Sequence, residues 1–252
     1  ANAYVSRESI TRKRLIIIGF VLVLVSLTKQ INIIFSLLLL TIPYRKINND
    51  KRKYFLTILT LVSISFLIAI AWGISVGAAN QATSQLQRPG FGVDSSAQLS
   101  FILRNPVTFA KIFIENYVLV NPGYFGDAVF VSTIGVFGWL DTNIPLWTVT
   151  LYIVGLVFSL MYQLGRGYET LFWQKLIILT TAILLVLANI TALYLYYSPV
   201  ADKVVSGVQG RYFIPIAVLL IGLFSSKKKA LSLTDRQLGY FFSGMMLIVF
   251  TV

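Results

Sequence analysis

The 252-residue chain is 57% apolar and 12% charged, with a mean hydropathy of +0.80, where soluble domains carry about twice that share of charge. This composition excludes an ordinary soluble domain and predicts an all-α integral membrane protein. Cysteine and histidine are both absent, which excludes disulfides, thiolate chemistry, zinc sites of the usual kind and Ser-His-Asp or Cys-His catalysis.

A net charge of +12 does not point to nucleic acid, because the basic residues cluster beside apolar runs, as the positive-inside rule predicts. No nucleic-acid partner is expected. The chain opens on Ala1, and residues 1–10 lack the charged, apolar and cleavage regions of a signal peptide. The expectation is a fragment whose upstream part completes the same protein.

Arg12, Lys13 and Arg14 precede the apolar run Leu15 to Leu27; Lys29 and Gln30 interrupt it, and a second run, Ile31 to Ile42, ends at Pro43 before the basic cluster Arg45 to Lys53. Each run is about 13 residues, or about 20 Å as helix, short of the roughly 30 Å hydrocarbon core. Two readings fit: a short helical hairpin over 12–53 whose tip reaches the outer interface, or one long tilted span with a buried lysine. The flanking charge favours the hairpin. The wholly uncharged stretch over 54–76 is the clearest transmembrane helix and runs outward.

From Gly77 the composition is that of a loop, with Pro89-Gly90 a turn signal, and a large external loop is expected over 77–145. Within it, Ser95 to Val118 places Leu99, Ile102, Leu103, Phe109, Ile112 and Phe113 near one helical face, broken at Pro106. These residues read as interfacial helices on the outer leaflet. Tyr124 to Leu140, glycine-studded and aromatic, reads as re-entrant or surface-lying. Asp141, Thr142 and Asn143 with Pro145 read as a helix start.

About four spans follow over 146–252: Leu146 to Leu164, Leu171 to Tyr196, Phe213 to Phe224, and Gly239 to Val252, giving about six to seven transmembrane helices with some short or re-entrant. The sequon Asn189-Ile190-Thr191 lies inside a span and is discounted. On this topology about 15 of the 21 Lys and Arg are cytoplasmic. The exceptions are Lys29, Arg88, Arg104, Lys111, Lys203 and Arg211, and charges that violate the insertion bias face a cavity or headgroups rather than lipid.

Gly207-Val-Gln-Gly-Arg-Tyr-Phe213 stands at the mouth of an apolar run, its glycines allowing a tight turn or close approach to a ligand. One reading is an interfacial anchor, with Arg211 snorkelling to headgroups and Tyr212 in an aromatic belt. The other is a binding site.

Three stretches carry a likeness to a known family: Ser26-Leu-Thr-Lys29 with the second run ending in Pro43, the Gly138-Trp-Leu-Asp-Thr142 box, and Gly207 to Phe213. The chain resembles the later half of the bacterial polytopic membrane proteins grouped as domain of unknown function 2142. These look like relatives of the C-type glycosyltransferase (GT-C) fold, in which a membrane enzyme takes sugar from a polyprenyl-phosphate carrier on the outer face. The resemblance implies a catalytic carboxylate in the first external loop, upstream of this stretch.

A lipid-linked sugar donor needs cations at headgroup depth, aromatic surface for the sugar ring, and a carboxylate to take a proton from the acceptor hydroxyl. Arg211 is the first choice for the lipid phosphate, since a guanidinium binds two oxygens at once, and Lys29 the second. Gln209 and Tyr212 are candidates for sugar or phosphate oxygens, and Trp139 for stacking on the sugar. Asp141 is the candidate catalytic carboxylate, with helix capping its alternative role, and Asp127 follows. No cofactor is required and no metal motif is present, a divalent cation being the one that would suit a phosphate site.

The expected function is therefore an envelope glycosyltransferase in the bacterial cytoplasmic membrane, multi-pass and active on the external face. Its partners would be a polyprenyl-phosphate sugar donor, a polysaccharide, teichoic-acid-like or glycolipid acceptor, and membrane lipid. The alternatives are a flippase, transporter or scaffold for lipid-linked saccharide, or a purely structural membrane subunit.

Overall fold

A computed structural model describes residues 10–47, 50–83, 92–115, 136–137, 142–143, 145–163, 170–221, 223 and 234–250. They form two compact units, the first drawn from Ala1–Gly92 and Leu171–Asn189, the second from Val93–Thr170 and Ile190–Val252. Nearly all the regular structure is helical.

In the first unit, α1 (Arg12–Thr28) starts where Thr11 Oγ1 accepts the Arg14 amide, and it ends at Lys29, whose backbone is extended. A 12-residue 3₁₀ helix, Gln30–Thr41, follows, then a single 3₁₀ turn, Tyr44–Lys46, after Pro43. The long helix α2 (Lys51–Thr83) packs on α1 and on the 3₁₀ helix. Asp50 accepts the amides of Arg52 and Lys53 at its start, placing an anion where unpaired amides concentrate positive potential.

The core of this unit joins Leu22 of α1, Leu39 and Ile42 around the end of the 3₁₀ helix, Ile58 of α2, and Ile10 and Ile47 from the flanks. Gly19 lets Leu61 of α2 approach α1, and Gly73 lies beneath the Gln30 carboxamide. The other side of α2 is apolar and bare, with Phe55, Phe66, Leu67, Trp72 and Ile74 all exposed. That pattern suits a lipid environment rather than water.

Helix α2 runs through Thr83, beyond the point at Gly77 where loop composition begins. The stretch after Gly77 is Ala-Ala-Asn-Gln-Ala-Thr, and alanine favours helix while no proline arrives before Pro89.

In the second unit, α3 (Ser95–Arg104) is capped by Asp94, whose carboxylate accepts the amides of Ser96 and Ala97. Asn105 breaks the chain before Pro106 opens α4 (Pro106–Ile114), because a residue preceding proline is disfavoured in helical conformation. Strands β1 (Val136–Phe137) and β2 (Thr142–Asn143) pair antiparallel, Val136 opposite Asn143 and Phe137 opposite Thr142. The main chain of Thr142 and Asn143 therefore pairs as a strand just before the next helix. Helix α5 (Leu146–Gln163) begins directly after Pro145, whose carbonyl accepts the Thr148 hydroxyl.

Helix α6 (Phe172–Tyr197) is continuous, its residues to Asn189 counting with the first unit and the rest with the second. The 3₁₀ turn Gly210–Phe213 leads into α7 (Ile214–Ile221), only eight residues long. The last helix, α8 (Asp235–Phe250), meets α5 through stacked Phe158 and Phe241 rings, 4.5 Å apart, and through Met245 and Phe242 around Gly155. Among the described residues, two helical segments are long and apolar enough to cross a bilayer, Lys51–Val76 and Phe172–Tyr197, 26 residues each. At about 1.5 Å per residue, each exceeds the roughly 30 Å core.

Candidate functional site

Two polar constellations stand out, one in each unit. In the first, Lys29 lies between α1 and the 3₁₀ helix and its ammonium donates to Asn189 Oδ1 at 2.6 Å. Asn189 is 3% exposed, and its own amide nitrogen donates to the Leu185 carbonyl one turn back. Lys29 itself is half-buried. Thr28 Oγ1 donates to the Val25 carbonyl and accepts from Asn32 Nδ2, so the break carries a short polar chain at the end of two apolar helices. A second carboxamide works at the opposite end of the 3₁₀ helix. Gln174, 1% exposed, accepts the Leu171 amide and donates to the Thr41 carbonyl at 2.8 Å.

In the second unit, the segment after α6 is fixed by buried side chains. Tyr194, fully buried and 5.4 Å from the Phe109 ring of α4, donates its hydroxyl to the Asp202 carbonyl at 2.7 Å. Gln98 of α3, also fully buried, accepts the Ala201 amide at 2.8 Å. Buried Ser198 accepts the Ser206 amide across eight residues, closing the loop on itself over Val205 and Val208, which are both buried.

Two backbone features complete this loop. Ala201 is left-handed, with φ of 60°. Gly207, at φ of +77°, sits against Tyr197, where a Cβ would come within 3.2 Å of the ring. A residue with a side chain meets strain and crowding there at once.

The pinned loop delivers the chain to Gln209, whose carbonyl accepts the Tyr212 amide and so starts the 3₁₀ turn. Gln209 Oε1 is buried without a hydrogen-bond partner, while the Gln98 carboxamide also meets the Tyr194 hydroxyl. Buried polar atoms are nearly always paired, so Gln209 Oε1 marks open hydrogen-bonding capacity beside the Gly207–Phe213 segment. Outside the helical spans, the Asp94 carboxyl is held below its ordinary value by the amide of Ala97, then by the Ser96 hydroxyl and amide.

A family model described as a predicted membrane protein, domain of unknown function 2142, matches residues 2–220. The chain belongs to that family. It is a membrane protein, and the matched region takes in both constellations. No curated protein and no solved structure matches the chain.

Of the residues singled out from this family member's sequence, the structure places Lys29 in the first unit and Gln209 and Tyr212 in the second. For Arg211 the main chain is described, in the turn after Gly210. Asp127, Trp139 and Asp141 lie outside the described residues, the last two within the four-residue connection between β1 and β2. Among the described residues no group of three or more His, Cys, Asp or Glu could hold a metal ion.

Sequence reasoning missed Asn189, Gln174 and Gln98. Gln174 and Asn189 are amide side chains among mostly apolar neighbours, whereas Gln98 stands among serines as well. Asn189 was hidden by its reading as a discounted sequon. The usable signal was simpler, since a lone carboxamide inside an apolar helix needs a partner once buried.

Proposed function

We propose that the protein is a membrane glycosyltransferase of the C type, transferring sugar from a polyprenyl-phosphate carrier to a cell-envelope polysaccharide, teichoic-acid-like polymer or glycolipid. On this reading it is multi-pass in the bacterial cytoplasmic membrane, with about six to seven spans. The hairpin over 12–53 and the span over 54–76 lead to an external loop over 77–145 with interfacial helices, and about four spans follow. The active face is external, and an upstream part of the same protein completes the site.

The observation that supports this most is the loop from Ser198 to Gln209, held by Gln98, Tyr194 and Ser198 so that it presents Gln209-Gly210-Arg211 on fixed backbone. Preorganised donors and acceptors are what a transferase needs to favour its transition state over its substrate. Gln209 Oε1 can only accept hydrogen bonds, so its open position suits a sugar hydroxyl and not a phosphate oxygen. The phosphate falls to the Arg211 guanidinium, and Lys29, in the other unit, is a separate candidate for an anionic headgroup.

In the reaction, the Asp141 carboxylate takes the proton of the acceptor hydroxyl while that oxygen bonds to the anomeric carbon. The bond from this carbon to the phosphate oxygen breaks, and its electron pair leaves with the carrier phosphate. Asp127 is the other carboxylate available to this role. Trp139 and Tyr212 supply surface and a hydroxyl for the sugar. A divalent cation at the phosphate would add charge, but no step above depends on one.

Binding and turnover of polyprenyl-phosphate sugars by the purified protein test this. Wild type is expected to transfer sugar, Arg211→Ala to lose donor binding by ten-fold or more, as for a charge-assisted phosphate contact of about 1.5–3 kcal/mol, and Asp141→Asn to bind donor without turnover. Binding without transfer in the wild type would instead identify a transporter or scaffold for lipid-linked saccharide. No binding at all would remove Arg211 from the site.

A further inference from the structure

The 3₁₀ helix Gln30–Thr41 is unusually long for its kind, because such helices have poorer hydrogen-bond geometry and rarely exceed about four residues. Something must hold it. Its two ends are tied to the same helix, α6: the last carbonyl, of Thr41, accepts from Gln174, and Lys29, just before its first residue, donates to Asn189.

The backbone lengths agree most closely in this winding. Gln174 and Asn189 lie about 15 residues apart on α6, or about 22 Å at the α-helical rise. The stretch from Lys29 to Thr41 covers about 24 Å at the 3₁₀ rise of about 2.0 Å per residue. Wound as an α-helix it would cover about 18 Å, short of the second tie by about 4–5 Å.

We propose that Asn189 and Gln174 are positioning residues that hold this helix stretched between them, and that Asn189 thereby fixes how far Lys29 stands from the Thr41 end. Apolar packing of Leu39 and Ile42 anchors the Thr41 end in the core, so release of the Asn189 tie draws the Lys29 end back as the segment rewinds. The Gln30 carboxamide, resting over Gly73, moves with it. This geometry holds whatever reaction the protein performs, and it does not rest on glycosyl transfer.

These 252 residues contain no cysteine, so once any cysteine outside them is changed to serine, two introduced cysteines carry the only spin labels. Labels at Ile31→Cys and Leu40→Cys in the full-length protein report the helix directly by dipolar spectroscopy. Nine residues span about 18 Å in the 3₁₀ form and about 13–14 Å in the α form. Wild type is expected at the longer separation. Asn189→Leu, which keeps the bulk and removes the acceptor, is expected to shorten it by about 4–5 Å, and Asn189→Asp, which keeps an acceptor oxygen, to preserve it.

Asn189→Ala removes the same acceptor and is expected to shorten the same distance, which provides the test if Asn189→Leu does not fold. A wild-type separation at the α-helical value overturns the proposal at once. A folded Asn189→Leu or Asn189→Ala variant with unchanged separation does so equally. Loss of sugar transfer with unchanged separations would bear on the proposed function and sink the stretched-helix account.

Discussion

Ala201 offers the sharpest check on how the loop before Gly207 is held. Its backbone is left-handed, which costs a residue with a Cβ about 1–2 kcal/mol. Ala201→Gly removes that strain, but glycine frees the unfolded chain and returns about 0.4–1 kcal/mol of it. The residue is exposed, so no packing is lost. The net expectation is a gain of about 0.5–1 kcal/mol, or a two- to five-fold increase in protection against local opening.

The Gln98 carboxamide grips the Ala201 amide, and this contact is expected to keep the residue left-handed. Gln98→Leu removes that bond and leaves the amide without its acceptor, costing about 1–3 kcal/mol. A destabilisation of that size is therefore expected. In that background the loop relaxes, and Ala201→Gly should gain nothing, a coupling of about 0.5–1 kcal/mol typical of residues in one network. Hydrogen exchange over residues 199–206 in one detergent, on the two single variants and the double, measures all three. If Ala201→Gly weakens the loop equally with and without Gln98, the strain argument is wrong.

Gly207→Ala should act in the opposite sense, since at φ of +77° the new Cβ meets both backbone strain and the Tyr197 ring; a loss of about 1 kcal/mol or more is expected in the same exchange experiment. Asp94 supplies a pH test. Its folded carboxyl titrates below the ordinary 3.8 because the charged form accepts from Ala97 and Ser96, so its contribution is full at neutral pH and is lost as pH falls through that depressed value. Amide exchange at Ser96 and Ala97, corrected for intrinsic rates, should speed up below about pH 3.8 in wild type and stay flat in Asp94→Asn, which keeps an uncharged acceptor. Parallel behaviour of the two proteins would mean that the carboxylate is not the cap that matters.

Much of the helical layout is legible in the sequence because its signals are local. Lys29 and Gln30 interrupt an apolar run, Pro106 breaks α3 from α4, and Pro145 precedes α5. The long apolar helices follow from composition alone. The winding of Gln30–Thr41 is not legible, because its residues are ordinary apolar ones and its stretch is set by partners about 130 to 160 residues away. α2 continues past Gly77 because alanine tolerates helix regardless of the loop-like polar residues around it. For the candidate site, Lys29, Gln209 and Tyr212 draw notice as polar residues beside apolar runs. What each one touches depends on contacts that no local pattern encodes.

The three residues that sequence reasoning missed share one physical role. Gln98, Gln174 and Asn189 are at most 3% exposed, and each meets a place where regular structure ends: the Ala201 amide in a turn, the Thr41 carbonyl at a helix end, and the Lys29 ammonium at a break. Helix ends and turns leave main-chain groups unpaired, and in an apolar setting each such group is costly. A carboxylate or a second ammonium could satisfy them only by bringing a charge out of water, which costs several kcal/mol per ion. A carboxamide offers a donor and an acceptor without that penalty. In this protein, buried neutral amides therefore meet the chain at its breaks, beside Lys29 and in the loop that leads to the Gly207–Phe213 segment.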